Sequence, residues 1–333
     1  MGSVLVLGGT AWLGREVARA AQRRGHEVTC LARGEAGAVA DGVRFVRADR
    51  SAPGAYEQVQ HTDWDDVVDV SWQPGQVRSA VAALADRAAH WTYVSSCSVY
   101  ADHSIPGVDE SAALLEPCPD DVAGAEVYGE AKVACEQAVL AGLGDRALLA
   151  RAGLIGGFGD GSDRFGYWVS RFRLAGEGEV LVPDAPEQLT QTIDVQDLAG
   201  WLVRAGEQRS TGPVNAVGEA RRLLDVIATA RDVAAVGGRR ATMVPADGQW
   251  LRDNTVEEWA GPRSLPLWLS SPDTAGFGAR SDARAMQLGL TRRPLNDTLM
   301  DALAHEEQLG LDRERRAGLS RADELELLEA LRQ

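Results

Sequence analysis

Short apolar runs rich in β-branched residues alternate with Ala-rich stretches of helical periodicity through the first half of the chain. Val4–Leu7, Val28–Leu31, Val43–Val46, Val67–Val70, Trp91–Val94 and Ala147–Leu149 read as strands, with Leu13–Arg24, Gly75–Ala89 and Val127–Leu140 as helices between them. Strands joined through helices need right-handed crossovers, and these build a parallel sheet covered on both faces. The pattern predicts an α/β fold, a doubly wound parallel sheet over residues 1–153.

Beyond Gly153 the chain becomes loop-rich, with Phe158, Arg164, Phe165, Tyr167, Trp168, Arg171 and Arg173 ahead of a turn at Pro183–Pro186. A smaller lobe is expected to begin there. Gln191–Val203 reads as a strand end followed by a helix that Asp194 or Asp197 can cap. Residues 190–216 are therefore expected to return to the sheet, leaving 154–189 and 217–333 as an interleaved substrate lobe with C-terminal helices. Ser320–Leu331 opens with S-x-x-D and sets Leu325, Leu328 and Leu331 on one stripe, the pattern of a capping helix.

The first strand runs into Gly8-Gly9-Thr10-Ala11-Trp12-Leu13-Gly14 and then directly into a helix. A glycine turn between strand and helix aims unpaired backbone N–H groups and the positive end of a helix dipole at an anion such as a pyrophosphate. In this context the turn predicts a Rossmann dinucleotide site at Gly8, Thr10, Ala11, Trp12, Leu13 and Gly14, although a glycine-rich turn also closes α/β domains that bind nothing. The second strand ends in Ala32 and Arg33, where an NAD site would place a carboxylate for the ribose 2′-hydroxyl. A guanidinium here favours a 2′-phosphate, hence NADP(H) over NAD(H), with Arg15 as a second cation. Asp49, after the third strand, is placed to accept a hydrogen bond from the adenine amino group. The bland alternatives are a surface arginine and a strand-end turn residue.

Ser95-Ser96-Cys97-Ser98-Val99-Tyr100 follows the fifth strand, and Tyr128-Gly129-Glu130-Ala131-Lys132 lies in a helical stretch. Tyr128 and Lys132 share one helix face about a turn apart. An ammonium beside a phenol favours the phenolate, so such a pair can deliver or remove a proton near neutral pH. A hydroxyl at a strand's carboxyl end can hold the same substrate oxygen.

In order along the chain, L-G-G-T-A-W-L-G, S-S-C-S-V-Y, Y-G-E-A-K, R-A-G-L-I-G-G and Q-T-I-D-V-Q-D-L-A resemble the extended short-chain dehydrogenase/reductase family, the NAD-dependent epimerase/dehydratase group. The resemblance implies a Rossmann domain, a C-terminal substrate lobe, a homodimer, and a catalytic set of Ser96, Tyr128 and Lys132. It selects Ser96 as the residue three before Val99, and it gives Lys132 the second task of holding the nicotinamide ribose. The chain departs from the family pattern at Ala11 and Ala101, where glycines are usual, and at Ala152-Gly153-Leu154, which lacks an asparagine common in sugar-nucleotide epimerases.

The 333 residues are 45% hydrophobic and 25% charged, an ordinary globular composition. A net charge of −15 disfavours nucleic acid and acidic membranes as partners. No apolar run approaches the roughly 20 residues of a membrane span, and no export signal is read at the start. Cys30, Cys97, Cys118 and Cys135 form no C-x-x-C pair, as in a cytoplasmic protein with reduced thiols. Low Lys against high Ala, Arg and Gly resembles a high-GC bacterial composition. His26, His61, His90, His103 and His305 lack metal-ligand spacing and are expected in loops or on the surface. His103, Trp72, Tyr167, Trp168 and Arg164 remain as candidate substrate contacts, against core packing for the aromatic residues and a basic helix face for Arg164, Arg171 and Arg173. The expected activity is NADP(H)-dependent oxidoreduction of a small-molecule carbonyl or alcohol. The alternatives are a nucleotide-sugar epimerase or dehydratase with tightly bound cofactor, and a dinucleotide sensor or scaffold without chemistry.

Overall fold

In the computed structural model, which describes residues 2–333, the alternation becomes a central sheet of seven strands. The chain runs β1 (Ser3–Leu7), α1 (Trp12–Arg23), β2 (Glu27–Ala32), β3 (Arg44–Arg47), β4 (Asp66–Asp69), α2 (Pro74–Leu84), β5 (Trp91–Ser96), α3 (Tyr128–Leu143) and β6 (Ala147–Ala152). It then leaves the sheet through β7 (Leu154–Gly156), α4 (Phe165–Ala175), β8 (Glu179–Pro183) and β9 (Leu189–Asp194), and returns through α5 (Val195–Glu207) and β10 (Gly212–Ala216). The spatial order is β10-β6-β5-β4-β1-β2-β3, all parallel. Winding reverses between β1 and β4, and ligands of open α/β sheets bind in the crevice above such a switch point.

Alternation along each strand feeds two cores. Val4 and Val6 of β1 pack with Val17, Ala18 and Ala21 of α1 and Leu198 and Leu202 of α5, whereas Leu5 and Leu7 pack with Val77 and Leu84 of α2 and Val139 of α3. The strand pattern is legible because a sheet buried on both faces reads as continuous apolar runs. Several element bounds shift from expectation, the fourth strand by one residue toward the N-terminus. The helix expected over Gly75–Ala89 ends at Leu84 and tightens into a 3₁₀ turn, Ala85–Arg87. The third strand lies one residue later, leaving Phe45 41% exposed.

The second lobe has its own core. Tyr167 and Trp168, candidate substrate contacts with core packing as the alternative, take that alternative: they are 0% and 1% exposed inside it, and Trp168 Nε1 donates to the Pro266 carbonyl (2.9 Å). α4 buries every residue from Phe165 to Phe172, more than two turns, so its aromatic residues pack instead of facing a ligand. Arg171 is also buried, 3.6 Å from Glu324. Glu324 sits on the C-terminal helix Arg321–Ala330 and accepts from the Leu181 N–H (3.1 Å). The core-facing residues of that helix are therefore Glu324, Leu327 and Leu328, with Leu325 turned outward, a phase the leucine spacing did not show. Asp194 caps α5 by accepting from Gln196 N–H (2.7 Å), while Asp197 holds Arg293 N–H (2.8 Å).

His90 is fully buried, contrary to the expectation of a surface or loop histidine. Its Nδ1 faces Asp66 Oδ1 and its Nε2 the Ser210 carbonyl, each at 2.8 Å, and Thr92 Oγ1 donates to Asp66 Oδ2 (3.0 Å). This contact ties β4 and β5 to the segment that leads into β10. Burial opposes the charged ring, but the Asp66 carboxylate and the Ser210 carbonyl outweigh it, and the net effect raises the His90 pKa. A raised folded-state pKa contributes stability that is complete below the unfolded value of about 6.5 and is lost as pH rises through the folded value. The urea midpoint of the wild type is expected to decline from pH ~6 upward through that window. A His90→Gln variant should lack this component of the decline and lose about 3–5 kcal/mol at low pH, since the buried Asp66 is left without its partner. Parallel pH slopes in the two proteins would contradict this account.

Candidate functional site

Two clefts open at the carboxyl ends of the strands. One, of about 410 Å³, is floored by the glycine turn and lined by Gly8, Thr10, Ala11, Arg33, Ser71 and Trp72. The other, of about 610 Å³, lies between the sheet and the second lobe and includes Ser96, Ser98, Tyr128, Asp160, Arg164 and Trp259.

The first cleft suits a dinucleotide. Gly8 has φ +95°, and a Cβ there would lie 2.6 Å from Val70 Cγ2, so the turn requires glycine. Ala11, extended at the helix N-cap, provides no side-chain cap, and α1 has no acid in its first turn. The first N–H groups of α1 are thus left for an external acceptor, which an anion at the positive helix end satisfies. Ala11 therefore does not disturb the turn, since its N–H bonds the Gly8 carbonyl (3.0 Å) and its carbonyl caps Arg15 N–H (2.9 Å). Trp12 belongs to the larger cleft, where its Nε1 donates to the Phe158 carbonyl (2.9 Å). The Leu13 side chain packs against the core under α1, so only its backbone is offered to a ligand. Arg33 stands at the cleft rim, more than half exposed and 3.3 Å from Glu35, which lines the same cleft. Asp49 is exposed and its carboxylate accepts from Ser51 N–H (2.9 Å). Its neighbours Ala48 and Arg50, not Asp49, line the cleft.

The catalytic candidates converge at the other end. β5 ends at Ser96, whose Oγ accepts from Ser98 N–H and donates to Ser98 Oγ, both at 3.1 Å. Alternation turns Ser95 inward, 2% exposed, and Ser96 toward the cleft. α3 reaches this turn because residue 129 is glycine, since a Cβ there would lie 2.4 Å from the Ser98 carbonyl oxygen. Tyr128 is thereby set at the cleft wall, with Trp72 at 5.5 Å between ring centroids. Trp72 itself lines the cofactor-side cleft.

Lys132, buried one helical turn on, donates to the Val94 carbonyl (2.6 Å) and the Ser71 carbonyl (3.0 Å). Its ammonium lies 4.9 Å from the Tyr93 ring centroid and 6.0 Å from that of Tyr128. Two of its three donors are used, and the third remains for a ligand. Residues that the sequence did not single out hold this arrangement. Arg50 grips Asp69 through two bonds (2.8 and 2.6 Å), Asp69 accepts from Ser71 N–H (2.9 Å), and Tyr93 Oη donates to the Ser71 carbonyl (3.1 Å). Burial drives the Tyr93 phenol well above its ordinary range, so it stays a neutral donor.

His103 is not a lining residue. It takes a hydrogen bond from Arg280 (2.8 Å), and its ring sits edge-on to Phe277, which does line the larger cleft. Burial and the Arg280 charge lower its pKa. Arg164 lines the cleft as expected. The remaining wall comes from scattered residues such as Gln188, just before β9, Thr190 on β9 and Trp259 at the end of the short strand Glu257–Trp259, which carry no local motif. Among the described residues no cluster of three His, Cys, Asp or Glu side chains could hold a metal ion, and no helix is long and apolar enough to cross a membrane.

A comparison with curated protein sequences finds no match. Solved structures similar in fold include UDP-glucuronic acid 4-epimerase from Bacillus cereus in complex with NAD, at TM-score 0.66 and 16% identity over 92% of this chain and 99% of that one. The Bordetella bronchiseptica enzyme WbmG in complex with NAD aligns at TM-score 0.67 and 14% identity over 93% and 95%. UDP-glucose-4-epimerase from Stenotrophomonas maltophila, with bound NAD and formylated UDP-arabinopyranose, aligns at 0.64 and 20% over 93% and 99%. The model of the NAD dependent epimerase/dehydratase family matches residues 4–218, well over half of the chain. The protein belongs to the NAD dependent epimerase/dehydratase family.

Proposed function

We propose that the chain oxidises and re-reduces a hydroxyl-bearing carbon of a nucleotide sugar on a nicotinamide dinucleotide that stays bound through the cycle, as an epimerase or dehydratase. The observation that carries this reading is that Ser96 and Tyr128 line the larger cleft, with Tyr128 against Trp72 of the cofactor-side cleft and the buried Lys132 ammonium 6.0 Å from its ring. Membership of the epimerase/dehydratase family supports the nucleotide sugar over the free carbonyl substrate expected from sequence, and solved relatives that hold NAD support the cofactor class. A net reductase that consumes NADPH is the second reading, favoured by Arg33 and by the lack of a carboxylate at the end of β2. In either case the protein works on a small molecule, as a cytoplasmic enzyme and a homodimer.

When bound, the cofactor supplies a hydride acceptor and donor at its nicotinamide ring. The chain supplies the rest. The turn at Gly8 to Gly14 takes the pyrophosphate on backbone N–H groups, and the free donor of Lys132 holds the nicotinamide ribose. Ser96 Oγ would fix the substrate oxygen, and Tyr128, as its phenolate, would take the substrate hydroxyl proton on oxidation and return it from the phenol on reduction. Trp72 lines the cofactor-side cleft and Trp12 the larger one.

Three outcomes are expected. Tyr128→Phe keeps the ring, so cofactor affinity should be nearly unchanged while turnover of UDP-sugars falls about 10²–10⁴-fold in a sugar-interconversion assay. Retention of more than half the wild-type rate would remove Tyr128 as the proton carrier. Lys132→Met should weaken dinucleotide binding roughly tenfold to a hundredfold by titration, the scale of a lost charge-assisted hydrogen bond. In matched titrations NADPH should bind more tightly than NADH, and Arg33→Ala should weaken only NADPH. Equal affinities in the wild type would contradict the 2′-phosphate assignment and favour NAD(H), with Glu35 as its neighbour.

A further inference from the structure

The wall of the larger cleft carries Asp160 and Arg164, and among the described residues neither forms an ion pair at contact distance. Asp160 is 4% exposed; its Oδ1 accepts from Ser162 N–H (2.8 Å), but its Oδ2 has no hydrogen-bond partner. Burial raises its pKa despite the field of Arg164. Arg164, four residues on, finds no carboxylate partner among the described residues, and its guanidinium stacks on Trp259 at 5.1 Å. Burial lowers its pKa, with Asp160 opposing, and Arg164 and Tyr128 line the same cleft. Leaving a buried carboxylate oxygen without a hydrogen bond costs stability, and such a cost persists where a ligand completes the contact. Elsewhere in the second lobe Arg171 pairs with Glu324 and Arg315 with Glu306, while Arg280 bonds the Asp102 carbonyl and His103.

We propose that Asp160 and Arg164 read the substrate: Arg164 binds an oxyanion carried close to the reacting carbon, and Asp160 accepts a hydrogen bond from a neighbouring hydroxyl. This names the substrate class of the proposed site, a hydroxylated compound with a carboxylate or phosphoryl group, and it rests on the larger cleft being the substrate site. The guanidinium's planar fork suits either oxyanion, and stacking on Trp259 holds it in place.

Calorimetry on the protein saturated with cofactor tests the pair without requiring turnover, so its outcome is independent of whether Tyr128 carries the proton. Two probe pairs separate the sources of the anion: UDP-glucuronate against UDP-glucose for a carboxylate, and UDP against uridine for a phosphoryl group. The wild type should prefer the charged member of at least one pair about tenfold or more, and Arg164→Gln should erase that preference. Arg164→Lys, which keeps the charge but loses the fork, should retain part of it and serves if Arg164→Gln folds poorly. Asp160→Asn keeps the acceptor for Ser162 N–H. It should weaken both UDP-sugars about tenfold with the charge preference intact, and it should raise the melting temperature by removing an unpaired buried charge. No preference for either anion in the wild type, or a preference that survives in Arg164→Gln, overturns the role of Arg164. A less stable Asp160→Asn with unchanged sugar affinity makes that residue a structural cap and overturns its part.

Discussion

A buried ammonium held by two backbone carbonyls is the constraint around which the site is built. Lys132 has no carboxylate beside it; Ser71, just past β4, and Val94, on β5, hold it instead. A charge this deep is tolerated only where its donors are met, so the ends of these two strands and the first turns of α3 must keep one relative position. Gly129 permits that approach, and the Arg50–Asp69 pair fixes the Ser71 peptide from below. The proton-carrying phenol and the orienting hydroxyl are then placed as a consequence of where the ammonium sits.

Sheet topology explains why the two clefts adjoin. Winding reverses between β1 and β4, so the connections after these strands diverge to opposite faces and leave a crevice above the switch point. The glycine turn after β1 forms one wall of it, and the segment after β4 forms the other. β5 and α3 bring the hydroxyls to its far end, where the second lobe closes over them. That lobe is held to the sheet by the return of the chain through α5 and β10, and the buried His90 contact to Ser210 secures the return. Distant segments thereby share a single rigid frame, and small displacements at the site are resisted.

The strands and first helices were legible because a sheet covered on both faces writes itself as apolar runs, and the chemistry was legible where it is local. The turn at Gly8 to Gly14, the serine after β5 and the Tyr128/Lys132 pair each occupy a few consecutive residues, so spacing alone places them on one face or at one strand end. What escaped is what only tertiary contact creates. Tyr167 and Trp168 resemble ligand-stacking residues in sequence, yet α4 is enclosed by the second lobe. His90 has no neighbouring motif because its partners, Asp66 and Ser210, lie 24 and 120 residues away. The C-terminal helix buries Glu324 in place of a leucine because Arg171 waits in that core, a pairing no hydrophobic stripe can show. Asp160 and the scattered residues of the larger cleft are likewise assembled from separate segments.

The central claim is that Lys132, Tyr128 and Ser96 surround the nicotinamide end of a dinucleotide whose pyrophosphate rests on the glycine turn. A crystal structure of the protein with its dinucleotide bound tests this most directly. The account predicts pyrophosphate oxygens on the N–H groups at the start of α1, the nicotinamide ribose hydroxyls within hydrogen-bond distance of Lys132 Nζ, and the nicotinamide ring facing the larger cleft beside Tyr128 and Ser96. A dinucleotide bound with its nicotinamide end remote from Lys132, or with the glycine turn vacant, would contradict it.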